Sequence, residues 1–148
     1  MAGCDYLPTA KNKALSAVKE SLLDPSSAIF SDVFEGQNQG DYCGYVNSKN
    51  MLGAYTGKNA FIYNKIWADA GKIFLASGPL TDYDFKNLMT GSIDYYDKII
   101  QGCFFITMWK DTCSESLPFP EHRHCELTKN KDDGANLYER LKKVYPYL

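Results

Sequence analysis

The chain has 148 residues, a net charge of -2, and 45% hydrophobic against 23% charged residues, which is one globular domain's worth of sequence with enough length for a core. So small a negative balance excludes a broad electrostatic attraction to nucleic acid or anionic lipid. No apolar run approaches the roughly 18 residues of a membrane-spanning helix. Aromatic residues make up 14%, and 11 tyrosines account for most of them, a bias that suits binding surfaces because the ring buries area while the hydroxyl stays wet.

In chain order, the start MAGCDYLP places Cys4 directly after Ala-Gly. This resembles the cleavage box of bacterial lipoproteins, whose cysteine is lipidated, and it implies that residues 1–8 are a tether bearing a lipid on Cys4 after removal of an apolar signal. Asp5 resembles an inner-membrane retention signal, so the choice between inner and outer membrane stays open.

TAKNKALSAVKESLLDP reads as a helix capped by Thr9, with Ala14, Leu15, Val18 and Leu22 on one stripe and an end near Leu23 imposed by Pro25. SSAIFSDVFEG alternates as a strand, with a turn over GQNQG. DYCGYVNSKN, NAFIYNKIWA and GKIFLASG read as three more strands. Their connections are too short for helical crossovers, which predicts an antiparallel meander. LTDYDFKNLMTGS reads as a helix capped by Thr81, and SIDYYDKIIQG continues it or begins another. CFFITMW reads as a strand, and GANLYERLKKVYPYL as a final helix with Leu137, Leu141 and Val144 on one face. The expected fold is one α+β domain over 9–148: an N-terminal helix, an antiparallel meander sheet and later helices packed on one face.

Setting Cys4 aside leaves Cys43, Cys103, Cys113 and Cys125, an even number that favours disulfides and an oxidising compartment. Four cysteines allow three connectivities. The pattern predicts Cys113–Cys125, closing CSESLPFPEHRHC with about 3 kcal/mol of loop-closure stabilisation, and by remainder Cys43–Cys103.

Between the second and third strands lies NSKNMLGAYTGKN, whose Gly53 and Gly57 suit positive φ and whose Asn50 and Asn59 tolerate it. Such a loop is held by its own hydrogen bonds, either as a structural turn or as a binding surface bearing Tyr45, Tyr55 and Tyr63 with Asn47, Lys49 and Lys58 nearby. Gly44, inside a strand, predicts a bulge or a close backbone approach. LLDPSSAIFSDV followed by CGYVNSKNMLGAYTGKNAFIY resembles a pattern of small exported proteins of bacteria and their phages, Asp-Pro-x-Ser-Ala-x-Phe then Cys-Gly-x-Val-Asn-x-Lys-Asn-x-x-Gly-x-Tyr-x-Gly. The resemblance covers roughly the first 40% of the chain and implies no catalytic residue.

The remaining chemistry is sparse. His122 and His124, in PEHRHC, are the only histidines. With Cys113 or Cys125 they offer zinc ligands or a Cys-His nucleophile, but cysteines in disulfides serve neither, and no standard ligand spacing accompanies them. The carboxylates Asp82, Asp84, Asp94 and Asp97 could pair, although Asp94 and Asp97 at i, i+3 more simply fit a solvated helix face, and no nucleophile elbow or phosphate loop occurs. The expectation is therefore no enzyme, no metal and no cofactor. The expected function is that of a periplasmic, lipid-anchored protein with a protein partner, an immunity or inhibitor lipoprotein that neutralises a toxin such as a lipase or wall hydrolase. A phage or plasmid exclusion lipoprotein, a secretion or conjugation subunit and a small hydrolase are the alternatives. Tyr55, Lys58, Glu115, Phe119, Glu121, His122 and Arg123 are the expected partner-binding residues.

Overall fold

The computed structural model describes residues 9–76, 78–92, 94–129 and 134–146, with side chains from 137 onward in the last stretch. Cys4 and the expected 1–8 tether lie outside the described residues. Among the described residues, five helices and four strands run in the order α1 (Ala10–Glu20), β1 (Ile29–Glu35), β2 (Tyr42–Asn47), β3 (Asn59–Tyr63), α2 (Lys65–Asp69), β4 (Phe74–Ala76), α3 (Asp82–Met89), α4 (Asp94–Thr112) and α5 (Gly134–Val144). Short 3-10 turns occupy Pro25–Ser27 and Arg123–Thr128. The class is α+β, and the sheet is an antiparallel meander in the order β1-β2-β3-β4.

The chain divides into two units, the first from residues 9–76 and 108–116 and the second from 78–107 and 117–146, so that α4 begins in one and ends in the other. In the first unit, Thr9 Oγ1 accepts the Asn12 amide at 3.1 Å and starts α1. Ala14 and Val18 then pack against Val46, Phe61 and Tyr63 on one face of the sheet. On the other face Trp109, from the end of α4, meets Phe34 and Tyr45 with ring centroids 5.9 and 6.4 Å away. Cover on both faces explains why Ala60 to Tyr63 of β3 are all buried instead of alternating. Gly44 marks a bulge and a close approach together. The register of β1 shifts between Ser31 and Phe34, Asp32 takes φ 51°, and a Cβ on Gly44 would lie 2.9 Å from the Val33 Cα.

In the second unit α3 packs on α5, and α5 on the Arg123–Thr128 turn. The core there is Phe85, Met89, Ile99, Cys103, Cys125, Leu137 and Leu141. Thr81 and Asp84 form a capping box at the start of α3. Asp84, buried, also takes Lys98 Nζ at 2.6 Å.

Three expectations are corrected. CFFITMW is not a strand but the middle of α4, because Ile99, Cys103 and Ile106 are buried at helical spacing, whereas a short apolar run fits either period. The third strand stops at Tyr63, where Asn64 Oδ1 accepts the Ile66 and Trp67 amides at 3.1 and 3.3 Å and caps α2. The disulfides are Cys43–Cys113 and Cys103–Cys125, not Cys113–Cys125 and Cys43–Cys103. The helix decides the pairing. Ten residues of α4 geometry put Cys103 and Cys113 about 15 Å apart along its axis, and the strand end near Cys43 is held at residues 110–112. There Gln37 donates to the carbonyls of Lys110 and Thr112, and Asn64 donates to Thr112 Oγ1. Cys113 thereby comes within disulfide reach of Cys43, with Cα atoms 5.9 Å apart.

Candidate functional site

Two places among the described residues gather unusual chemistry, one in each unit. The first is the 48–58 connection. Asn50 through Gly53 make a turn in which the Gly53 amide donates to the Asn50 carbonyl at 3.0 Å. Asn50 Oδ1 accepts the amides of Leu52 and Ala54 at 2.9 and 3.1 Å, and Asn47 Oδ1 accepts Gly57 at 3.0 Å. Gly53 and Gly57 take φ 80° and 95°, as their residue type allows. A bridge joins Lys49 to Tyr55, and the Tyr55 hydroxyl donates to the Ser27 carbonyl at 3.1 Å. The backbone is thus fixed without burial, and the residues at its tip, Met51 and Leu52, are 87% and 91% exposed.

Tyr55, in the same loop, is 45% exposed with Lys49 Nζ 5.5 Å from its ring centre, and Lys58 is exposed at the loop's far end. No aspartate or glutamate occurs from residue 42 to 68, so the loop is locally cationic on a chain of net charge -2. The sequence reading named Tyr55 and Lys58 but missed Met51 and Leu52. The Asn-x-x-Gly turn was the available signal, because its two central residues point away from the chain that closes it.

The second place is polar and inward. Asp82, in the first turn of α3, receives His122 Nε2 at 2.7 Å and Arg123 at 3.0 Å. His122 Nδ1 accepts the His124 amide at 3.1 Å, which fixes His122 as the Nε2–H tautomer. The His122 ring stacks on Phe85 at 4.4 Å, and Phe85 meets His124 edge-on at 5.4 Å. Tyr145 Oη lies 3.1 Å from His124 Nδ1 and 3.5 Å from Asp82 Oδ1.

Electrostatics follow from these contacts. Hydrogen bonds from Arg123 and then His122 hold the Asp82 carboxyl below its usual range, against a smaller opposing effect of burial. Burial is the main effect that pushes His124 down, aided by the positive charge of Arg123, with Asp82 offsetting part of this. Burial and then Asp82 push the Tyr145 phenol up. Asp82 counts in the sequence as one of several carboxylates that could pair, and nothing there joins it to the histidines, since it lies forty residues upstream of His122.

The other expected partner-binding residues fall differently. His122, with its side chain 7% exposed, and Arg123 join Asp82. Phe119 is half-buried and stacks on Phe105 at 6.1 Å. Glu121 is half-buried with Lys129 Nζ at 3.4 Å. Glu115 is exposed and belongs to the first unit. The 113–125 segment is not closed on itself, because its end cysteines bond elsewhere.

The two disulfides fit an oxidising, extracytoplasmic compartment. No helix among the described residues is long and apolar enough to cross a membrane. Compared with protein-family models, curated proteins and solved structures, the chain matches none of them.

Proposed function

We propose that this is an exported, envelope-anchored protein that works by holding a protein partner on the 48–58 loop, and that it serves as an inhibitor of a toxin, of the lipase or wall-hydrolase kind, delivered into the periplasm. The observation that carries the reading is the pair Met51 and Leu52, almost fully exposed on a turn whose backbone is already hydrogen-bonded. Burying each side chain in a partner's pocket contributes about 1.5–3 kcal/mol. A loop fixed before binding loses little further entropy. Tyr55 adds an aromatic anchor of the kind that recurs among interface hot spots.

The charge of the loop sets the partner's complement. Lys49 and Lys58, with no acidic residue from 42 to 68, favour an acidic rim around an apolar pocket. Cys4, if lipidated, keeps the domain at the envelope, and the disulfides are in keeping with export. Affinity capture from an envelope extract tests the reading: the wild-type protein retains one stoichiometric protein that a folded Met51→Ser/Leu52→Ser variant does not. Equal retention by both would move the interface elsewhere. Turnover of a lipid, peptide or glycan by the purified protein would overturn the non-enzymatic reading.

A further inference from the structure

The cluster at the start of α3 has a chemistry that partner binding does not use. We propose that Asp82, His122 and His124 form a site for one divalent cation of the zinc class, clasping α3 to the Arg123–Thr128 turn. Two imidazoles and a carboxylate are a donor set that zinc accepts readily. One ligand atom from each of the three residues lies within 4.8 Å of the others. A tetrahedral site with bonds of about 2.0–2.2 Å needs donors about 3.3 Å apart, so small side-chain movements complete it. Asp82 supplies the third ligand that the His-x-His pattern lacks, in place of cysteines that are held in disulfides.

The surroundings also suit an ion. Asp82 is 44% exposed and opens the site to solvent, while His122 and His124 are enclosed against Phe85. Tyr145 Oη, between His124 Nδ1 and Asp82 Oδ1, stands where an outer hydrogen bond would orient the carboxylate. The Cys103–Cys125 bond anchors the turn one residue from His124. Arg123, 66% exposed, holds its guanidinium on Asp82 as a stand-in positive charge and is free to swing into solvent when a metal takes that place.

Hydrogen bonds of the metal-free cluster oppose the metal. Coordination at His122 Nε2 moves the ring proton to Nδ1, and the His124 amide then loses its acceptor. The bonds of His122 Nε2 and Arg123 to Asp82 and that of the His124 amide to His122 Nδ1 are exchanged for three metal–ligand bonds, and the proton shift leaves a signature that a purely structural network would not produce.

The test is calorimetric titration of the full, oxidised, chelator-stripped chain with ZnCl2. We expect one zinc per chain with a dissociation constant tighter than about 10 μM. Asp82→Asn and His124→Gln each weaken it by about 100-fold or more. Arg123→Ala, lacking the competing charge, binds at least as tightly as wild type. Zinc uptake at unchanged affinity in Asp82→Asn, a loss of zinc in Arg123→Ala, or no uptake by folded wild type at about 1 mM zinc would overturn the proposal. Should the variants fail to fold, nitrogen-15 spectra of wild-type His122 decide: zinc converts the Nε2–H tautomer to Nδ1–H, and an unchanged tautomer at saturating zinc overturns the site.

Discussion

The 48–58 loop and the Asp82 cluster both hold irregular backbone in one geometry, and they do it in opposite ways. The loop spends its short polar side chains on its own backbone, Asn50 on Leu52 and Ala54, Asn47 on Gly57, and leaves Met51 and Leu52 outside. The cluster spends its polar side chains on one another and closes the histidine rings over Phe85. The first arrangement is ordered before anything binds and keeps its apolar area for a partner. The second has its apolar area already buried. Substitutions should therefore report differently, in affinity at the loop and in stability at the cluster.

The sharpest way to break this contrast is Phe85→Ala. Phe85 is fully buried in the second core and carries both histidine rings, so its loss should cost about 3–5 kcal/mol in denaturant unfolding. A loss under about 1 kcal/mol would mean that the rings hold the turn without it.

Gly44→Ala comes next. Its new methyl group would meet the Val33 Cα at 2.9 Å, backbone that moves only with the bulge, and about 1–3 kcal/mol of destabilisation is expected by thermal or chemical unfolding. An unchanged midpoint would show that the bulge relaxes freely.

Asn50→Ala removes one oxygen that serves two amides, Leu52 and Ala54. The expected loss of stability is about 1 kcal/mol, with about tenfold weaker partner binding as the tip loosens. Hydrogen exchange at those two amides should rise, and unchanged protection would show that the turn is held by other means.

The smallest effect is the acid dependence of Asp84. Burial pushes its carboxyl up, but the Lys98 hydrogen bond and those from Thr81 outweigh it, so the net direction is down. A carboxyl lowered by folding adds stability above its unfolded value of about 3.9 and loses it as pH falls through the folded value. Wild type should weaken below about pH 4, and Asp84→Asn should be less stable at neutral pH and flatter in that acid range. An identical acid profile in the two proteins would remove Asp84 from the account.

Much of the framework was legible in the sequence because short-range rules decide it. Thr9 and Thr81 mark helix starts, Gly44 marks the bulge, and the brief connections dictate a meander. The misreadings share a cause in tertiary partners. CFFITMW has no period that separates a buried helix from a strand, and the wrong element there carried the cysteine pairing with it, since α4 sets Cys103 and Cys113 apart. Asp82 could not be joined to His122 and His124 before the packing of α3 and the 3-10 turn was known. Met51 and Leu52 were legible in the Asn-x-x-Gly turn, yet two large apolar residues at such a position look like core until the loop is seen to leave the sheet.

The central claim is that the exposed tip of the 48–58 loop touches a protein partner. Its most direct test is a photoreactive amino acid placed at Leu52 in protein directed to the periplasm, irradiated in cells and analysed by mass spectrometry of the cross-linked product. The account predicts one discrete protein adduct that is lost when the same probe sits at Leu23, another exposed apolar position. No protein adduct from Leu52, or cross-linking to lipid alone, would contradict it.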